Sequence, residues 1–126
     1  IFYDDKVWII DHQDLVYDNP LLDIASLIYD ARRIYSKKIV DNTLYAYLKD
    51  VKASQKQNMI DNIHLVSLAR NLRVLGAWVY LHQKGKKNYL KSFKKTTWHQ
   101  INIHLDHLKL YELKDLLGII FKETIS

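Results

Sequence analysis

Apolar positions recur first at strand spacing and then at helical spacing along this chain, which predicts a short β segment followed by a long α-helical body. Ile1–Tyr3 and Lys6–Ile10 are β-prone runs flanking Asp4-Asp5, and two turn-forming residues between such runs predict a hairpin. Asn19-Pro20 reads as a helix start, because Asn can cap and Pro is tolerated in the first turn, where its missing N–H costs nothing. Leu21, Leu22, Ala25, Leu27, Ile28 and Ala31 then recur at helical spacing and predict a helix to about Arg33. A second helix is expected from Ser36 to about Ser54, with Ile39, Leu44, Tyr47, Leu48 and Val51 on its apolar side.

The longest helical run extends from Met59 to His82 and ends at Gln83-Lys84-Gly85, where Gly suits the left-handed position that closes a helix. Its apolar stripe, from Ile60 and Ile63 through Leu68, Leu72 and Leu75 to Trp78 and Leu81, is wide enough to imply burial on more than one side. Two helices are expected beyond it, Tyr89–Leu110 with a break allowed near Thr96, and Glu112–Lys122. The expected class is mainly α, a helical bundle behind a short N-terminal β-hairpin. No linker composition divides the 126 residues, so residues 1–126 read as one unit.

Composition narrows the chemistry. The chain has no Cys, which excludes disulfides and thiolate metal sites and fits a reducing, cytoplasmic setting. Its apolar runs fall far short of the roughly 18 residues that would suggest a membrane span. The net charge of +5 is spread along the chain except for Lys84, Lys86, Lys87, Lys91, Lys94 and Lys95, with Tyr89 and Phe93 among them. Such a stretch can bind nucleic acid, but no nucleic-acid motif surrounds it, and a solvated loop and helix face with two core anchors is the plainer reading. His104 and His107 lie one helical turn apart near His99, yet zinc needs three or four convergent ligands, so a solvated helix surface is again the plainer reading.

Two stretches carry more specific information. Val7-Trp8-Ile9-Ile10-Asp11-His12-Gln13-Asp14 delivers a carboxylate to the end of an apolar strand, and Asn19-Pro20-Leu21-Leu22-Asp23-Ile24-Ala25-Ser26-Leu27 opens a helix with a second carboxylate in its first turn. Ala69-Arg70-Asn71-Leu72-Arg73-Val74-Leu75-Gly76-Ala77-Trp78 follows later, continued by Lys84-Gly85-Lys86-Lys87-Asn88-Tyr89-Leu90. Together, in this order, they resemble the aminoglycoside-phosphotransferase-like branch of the kinase-like family. The nearest likeness is to bacterial kinases that phosphorylate N-acetylmuramate and N-acetylglucosamine at the anomeric carbon. The resemblance spans nearly the whole chain.

The resemblance implies the helical part of a kinase-like C-lobe and an ATP-dependent transfer of phosphate to an amino-sugar hydroxyl. Asp11 corresponds to the family's magnesium-binding Asp, Asp23 to a structural Asp that braces the catalytic loop, and Asp14 matches the motif without an assigned role. Mg2+ and ATP are implied as cofactors of the complete parent, with a sugar as partner substrate. His12 stands where the family usually has an aromatic residue, and Asn19 where it has Gly. Arg70 and Arg73 fall on a helix near the family's acceptor site and can face an anionic sugar, although ion pairing or solvation is the plainer role.

The family's catalytic loop, His-x-Asp-x-x-x-x-Asn, and its N-lobe are absent from these residues, so the chain reads as a fragment without activity or cofactor of its own. Two other readings stay open. One is an aminoglycoside or choline-type kinase fragment, and the other is a non-catalytic helical remnant or basic interaction module.

Overall fold

The computed structural model describes residues 2–7 and 19–125. Strands β1 (Phe2–Tyr3) and β2 (Lys6–Val7) pair antiparallel, with Phe2 opposite Val7 and Tyr3 opposite Lys6. The two residues between them, Asp4 and Asp5, have φ of 51° and 52°. Two left-handed residues in succession are what a two-residue hairpin of the favoured twist requires, and Asp tolerates that region better than most side chains. The expected continuation of the second strand through Trp8–Ile10 lies outside the described residues, as do Asp11, His12 and Asp14.

Five helices follow among the described residues: α1 (Leu22–Ile28), α2 (Lys37–Tyr47), α3 (Ala53–Gln83), α4 (Asn88–His107) and α5 (Tyr111–Ile125). The chain is mainly α, as its periodicity predicts. Asn19 starts α1 as expected, its Oδ1 accepting from the Leu21 N–H at 2.9 Å. The Ser36 hydroxyl accepts from the Ile39 N–H at the head of α2. At the end of α3, Gly85 takes φ 85°, and the Lys86 and Gly85 N–H groups return to the Leu81 and His82 carbonyls, the closure that a left-handed glycine permits.

Boundaries depart from the pattern in four places, the largest at α2, which ends at Tyr47 instead of near Ser54. α1 stops at Ile28, because Asp30 turns the chain by accepting the Arg32 N–H at 2.8 Å and pairing with the Arg32 guanidinium. α3 begins at Ala53, six residues before Met59, since its polar first turns are solvated and carry no apolar signal. α4 runs through Thr96 unbroken.

The 31-residue α3 is the spine of the structure. Its first half contributes Ile63 to a cluster with Leu21, Ile24, Ala25, Ile28 and Tyr29. From its middle onward it contributes Leu68, Leu75 and Trp78 to a second cluster with Ala31, Leu90, Ile101 and Leu105. The wide stripe is thus buried against α1 on one side and α4 on another. α5 is held to α4 by Trp98 stacked on Phe121 at 4.3 Å. In α2 the expected apolar side is half wrong, since Ile39 and Tyr47 are exposed while Leu44 packs and Leu48 is buried. Among the described residues no helix is long and apolar enough to cross a membrane.

Substitutions test this packing and the turn after α4. Ile101 and Leu105 are wholly buried, so either replaced by Ala should cost about 2–5 kcal/mol in urea denaturation, against about 0.5 kcal/mol or less for exposed Leu27→Ala. Lys109 closes α4 at φ 56°, where a side chain is strained. Lys109→Gly should therefore raise stability by about 0.5–1 kcal/mol, and a lower melting temperature would contradict this account of the turn.

Candidate functional site

Asp23 lies in the first turn of α1, on the face opposite the buried Ile24 and Ala25, and its side chain is exposed. Its carboxylate is therefore free to meet a segment outside the helical body. Asp11, the expected metal ligand, and Asp14 lie outside the described residues. Among the described residues no three His, Cys, Asp or Glu side chains are arranged to hold a metal ion.

The fold brings the two motif stretches together. Asn19 and Leu22 from the first, and Ala69, Arg70 and Arg73 from the second, line one cavity of about 240 Å3 with Val66. Arg70 also lines a cavity of about 260 Å3 with Asp30, Arg32, Trp78 and Tyr89. Its guanidinium is half-buried, and burial pulls its pKa below the ordinary value. The basic stretch is largely solvated, with Lys84, Lys86, Lys87, Lys91 and Lys95 exposed, whereas Phe93 packs against the core.

A different cluster was hidden in the sequence. His104 is fully buried and His64 is 6% exposed, so the solvated-surface reading of His104 is wrong. His64 comes from α3, His104 and His107 from α4, and Tyr29 from the end of α1. His64 Nδ1 and His104 Nδ1 lie 3.0 Å apart, and His64 Nε2 lies 3.2 Å from the Tyr29 hydroxyl. His107 stacks on His64 with ring centroids 3.7 Å apart, and its Nε2 reaches the Asp61 carboxylate at 2.8 Å.

The partners assign the tautomers. Asn71 must donate from Nδ2, because that atom meets the Tyr29 carbonyl at 3.3 Å. The same amide lies 3.5 Å from His104 Nε2, which is therefore the acceptor nitrogen. His104 then carries its proton on Nδ1 and donates to His64 Nδ1. His64 in turn carries its proton on Nε2 and donates to the Tyr29 oxygen. The chain Asn71, His104, His64, Tyr29 has one consistent direction only while both imidazoles are neutral.

Burial favours that neutral state. It pulls His104 down to about 3 and His64 to about 4, with the neighbouring histidines adding to the effect. Burial, and then the Asp41 carboxylate, push the Tyr29 phenol up to about 12. Beside the cluster is a cavity of about 530 Å3, whose wall includes Tyr29, Tyr35, His64, His99, Gln100 and His107. Chemically the cluster is a neutral hydrogen-bonded tie between three helices. A signal for it exists in the sequence: His64 lies four residues before Leu68 and His104 three after Ile101, spacings that put each on the apolar face of its helix.

Comparison with family models, curated proteins and solved structures gave no match to this chain.

The cluster makes stability depend on pH. An unfolded imidazole takes up a proton near pH 6.5, whereas these two resist it until about 4 and about 3. The unfolded chain thus binds more protons as pH falls. Stability is full above 6.5 and declines below it, by up to about 1.4 kcal/mol per pH unit for each histidine. Urea denaturation at pH 7, 6 and 5 should show a steepening loss, and a flat profile would remove the neutral pair from the account.

Proposed function

We propose that this chain is part of the C-lobe of an ATP-dependent phosphotransferase of the kinase-like family, acting on a sugar hydroxyl, and an amino sugar above other acceptors. The observation that carries this reading is the meeting of the two motif stretches. Residues far apart in sequence, resembling two separate blocks of one family, line the same cavity. A chance likeness at two places gives no reason for them to adjoin.

In this reading Asp11 would hold a magnesium ion, which would neutralise charge developing on the phosphates of ATP. Asp23 accepts backbone N–H groups of the catalytic loop, a role that suits an exposed carboxylate in the first turn of α1. The catalytic carboxylate, the second magnesium ligand and the loop over the phosphates belong to other parts of the complete polypeptide. The net charge of +5 favours a neutral or anionic acceptor over a cationic aminoglycoside or choline.

The test is turnover of the complete polypeptide. It should release ADP with N-acetylglucosamine or N-acetylmuramate, and Asp11→Asn should lower the rate by at least about a hundredfold while leaving the helical circular dichroism unchanged. Turnover confined to cationic acceptors would overturn the amino-sugar assignment. Full activity of Asp11→Asn would remove Asp11 from the mechanism.

A further inference from the structure

Among the described residues Arg70 is a guanidinium without a hydrogen bond. Five N–H donors are fixed on that planar group, and its Nη1 is buried with no acceptor. Nearby Arg32 is in a different situation, since its Nε and Nη2 both donate to the Asp30 carboxylate, at 3.0 and 2.9 Å. Asp30 is thereby engaged, and it is the one carboxylate whose charge favours the Arg70 cation, against Arg32 and Arg73, which oppose it.

Two cavities adjoin Arg70, and they differ in sign. The one that includes Trp78 and Tyr89 has Asp30 in its wall. The one of about 240 Å3 is lined, among the described residues, by Arg70, Arg73, Asn19 and three aliphatic side chains, with no carboxylate. Arg70 and Arg73 are three apart on α3 and so share a face. Two guanidinium groups beside a small concavity, one half-buried and unpaired, are a costly arrangement unless a negative charge completes it. Guanidinium is also the group best matched to planar or tetrahedral oxyanions.

We propose that the cavity between the start of α1 and the middle of α3 is a binding site for an oxyanion, a carboxylate or phosphate group of a small ligand. Arg70 is its main donor and Arg73 its second. The aliphatic walls of Leu22, Val66 and Ala69 exclude water from one side of the ion, which strengthens both contacts. The inference uses the cavity on which the phosphotransferase reading rests and assigns it an anionic group, but its test measures binding to this chain and no turnover, so either can fail alone.

The experiment is a titration with sodium phosphate, and separately with sodium acetate, at ionic strength held constant with sodium chloride. The arginine Nε–H resonances are followed by NMR in the chain and in Arg70→Gln, Arg73→Gln and Arg33→Gln. Two Nε–H signals, identified by their loss in Arg70→Gln and Arg73→Gln, should shift saturably with at least one of the anions. Arg70→Gln should weaken that binding about tenfold or more, Arg73→Gln should weaken it less, and the exposed Arg33→Gln should leave it unchanged. Saturation by phosphate alone identifies a phosphoryl ligand, and saturation by acetate a carboxylate. Shifts that are linear, or equal binding by wild type and Arg73→Gln together with an unaffected Arg70→Gln, overturn the proposal. If Arg70→Gln loses its helical circular dichroism, Arg73→Gln decides: undiminished binding there overturns it.

Discussion

Everything in the helical body turns on how residues 29–33 cross it. Leaving α1, this connector runs between α3 and α4 with Tyr29 and Ala31 buried, and a buried carbonyl without a donor is costly. Three side chains from the two helices supply the donors. Asn71 reaches the Tyr29 carbonyl, the Thr97 hydroxyl donates to Ala31 at 2.8 Å, and Gln100 donates to Arg33 at 2.8 Å. These contacts explain why the buried face of α4 carries Thr97, Gln100 and His104 beside Ile101 and Leu105.

The histidine tie extends the same arrangement. Asn71 serves both the Tyr29 carbonyl and His104, so one amide couples the connector to the imidazole pair. His64 closes the loop by reaching the hydroxyl of the same Tyr29. The ring contacts reinforce this, with the Tyr29 ring edge-on to His104 at 4.6 Å. A polar network of this kind specifies one arrangement of three helices more sharply than apolar contacts, which tolerate sliding. It holds only while its members keep their hydrogen-bonding roles, which is why its protonation state matters to the whole body.

On the other side of the connector the electrostatics are not closed. Asp30 is committed to Arg32, and α3 turns Arg70 and Arg73 toward the start of α1. The two sides of α3 thus differ in kind. One side faces α4 through a neutral network whose donors are used while Asn71 Oδ1 and Gln100 Oε1 stay without a partner among the described residues, and the other meets α1 with surplus positive charge. Structural polar groups and binding groups are separated by the same helix.

Read alone, the residues determined the order of the described elements, the hairpin turn at Asp4-Asp5, the Asn19 and Ser36 helix starts and the Gly85 stop, because each depends on local sterics or on hydrogen bonds within a few residues. They also set the two motif stretches side by side for comparison, though not in space. The burial of His64 and His104 and the exposure of Ile39 were decided by tertiary structure. The physical reason for the polar face of α4 lies in what its side chains meet. Thr97 and Gln100 read as surface in any hydrophobic pattern, since their value lies in donors that meet a connector some seventy residues away. A pattern of apolar spacing reports which faces are dry only where apolar atoms fill them.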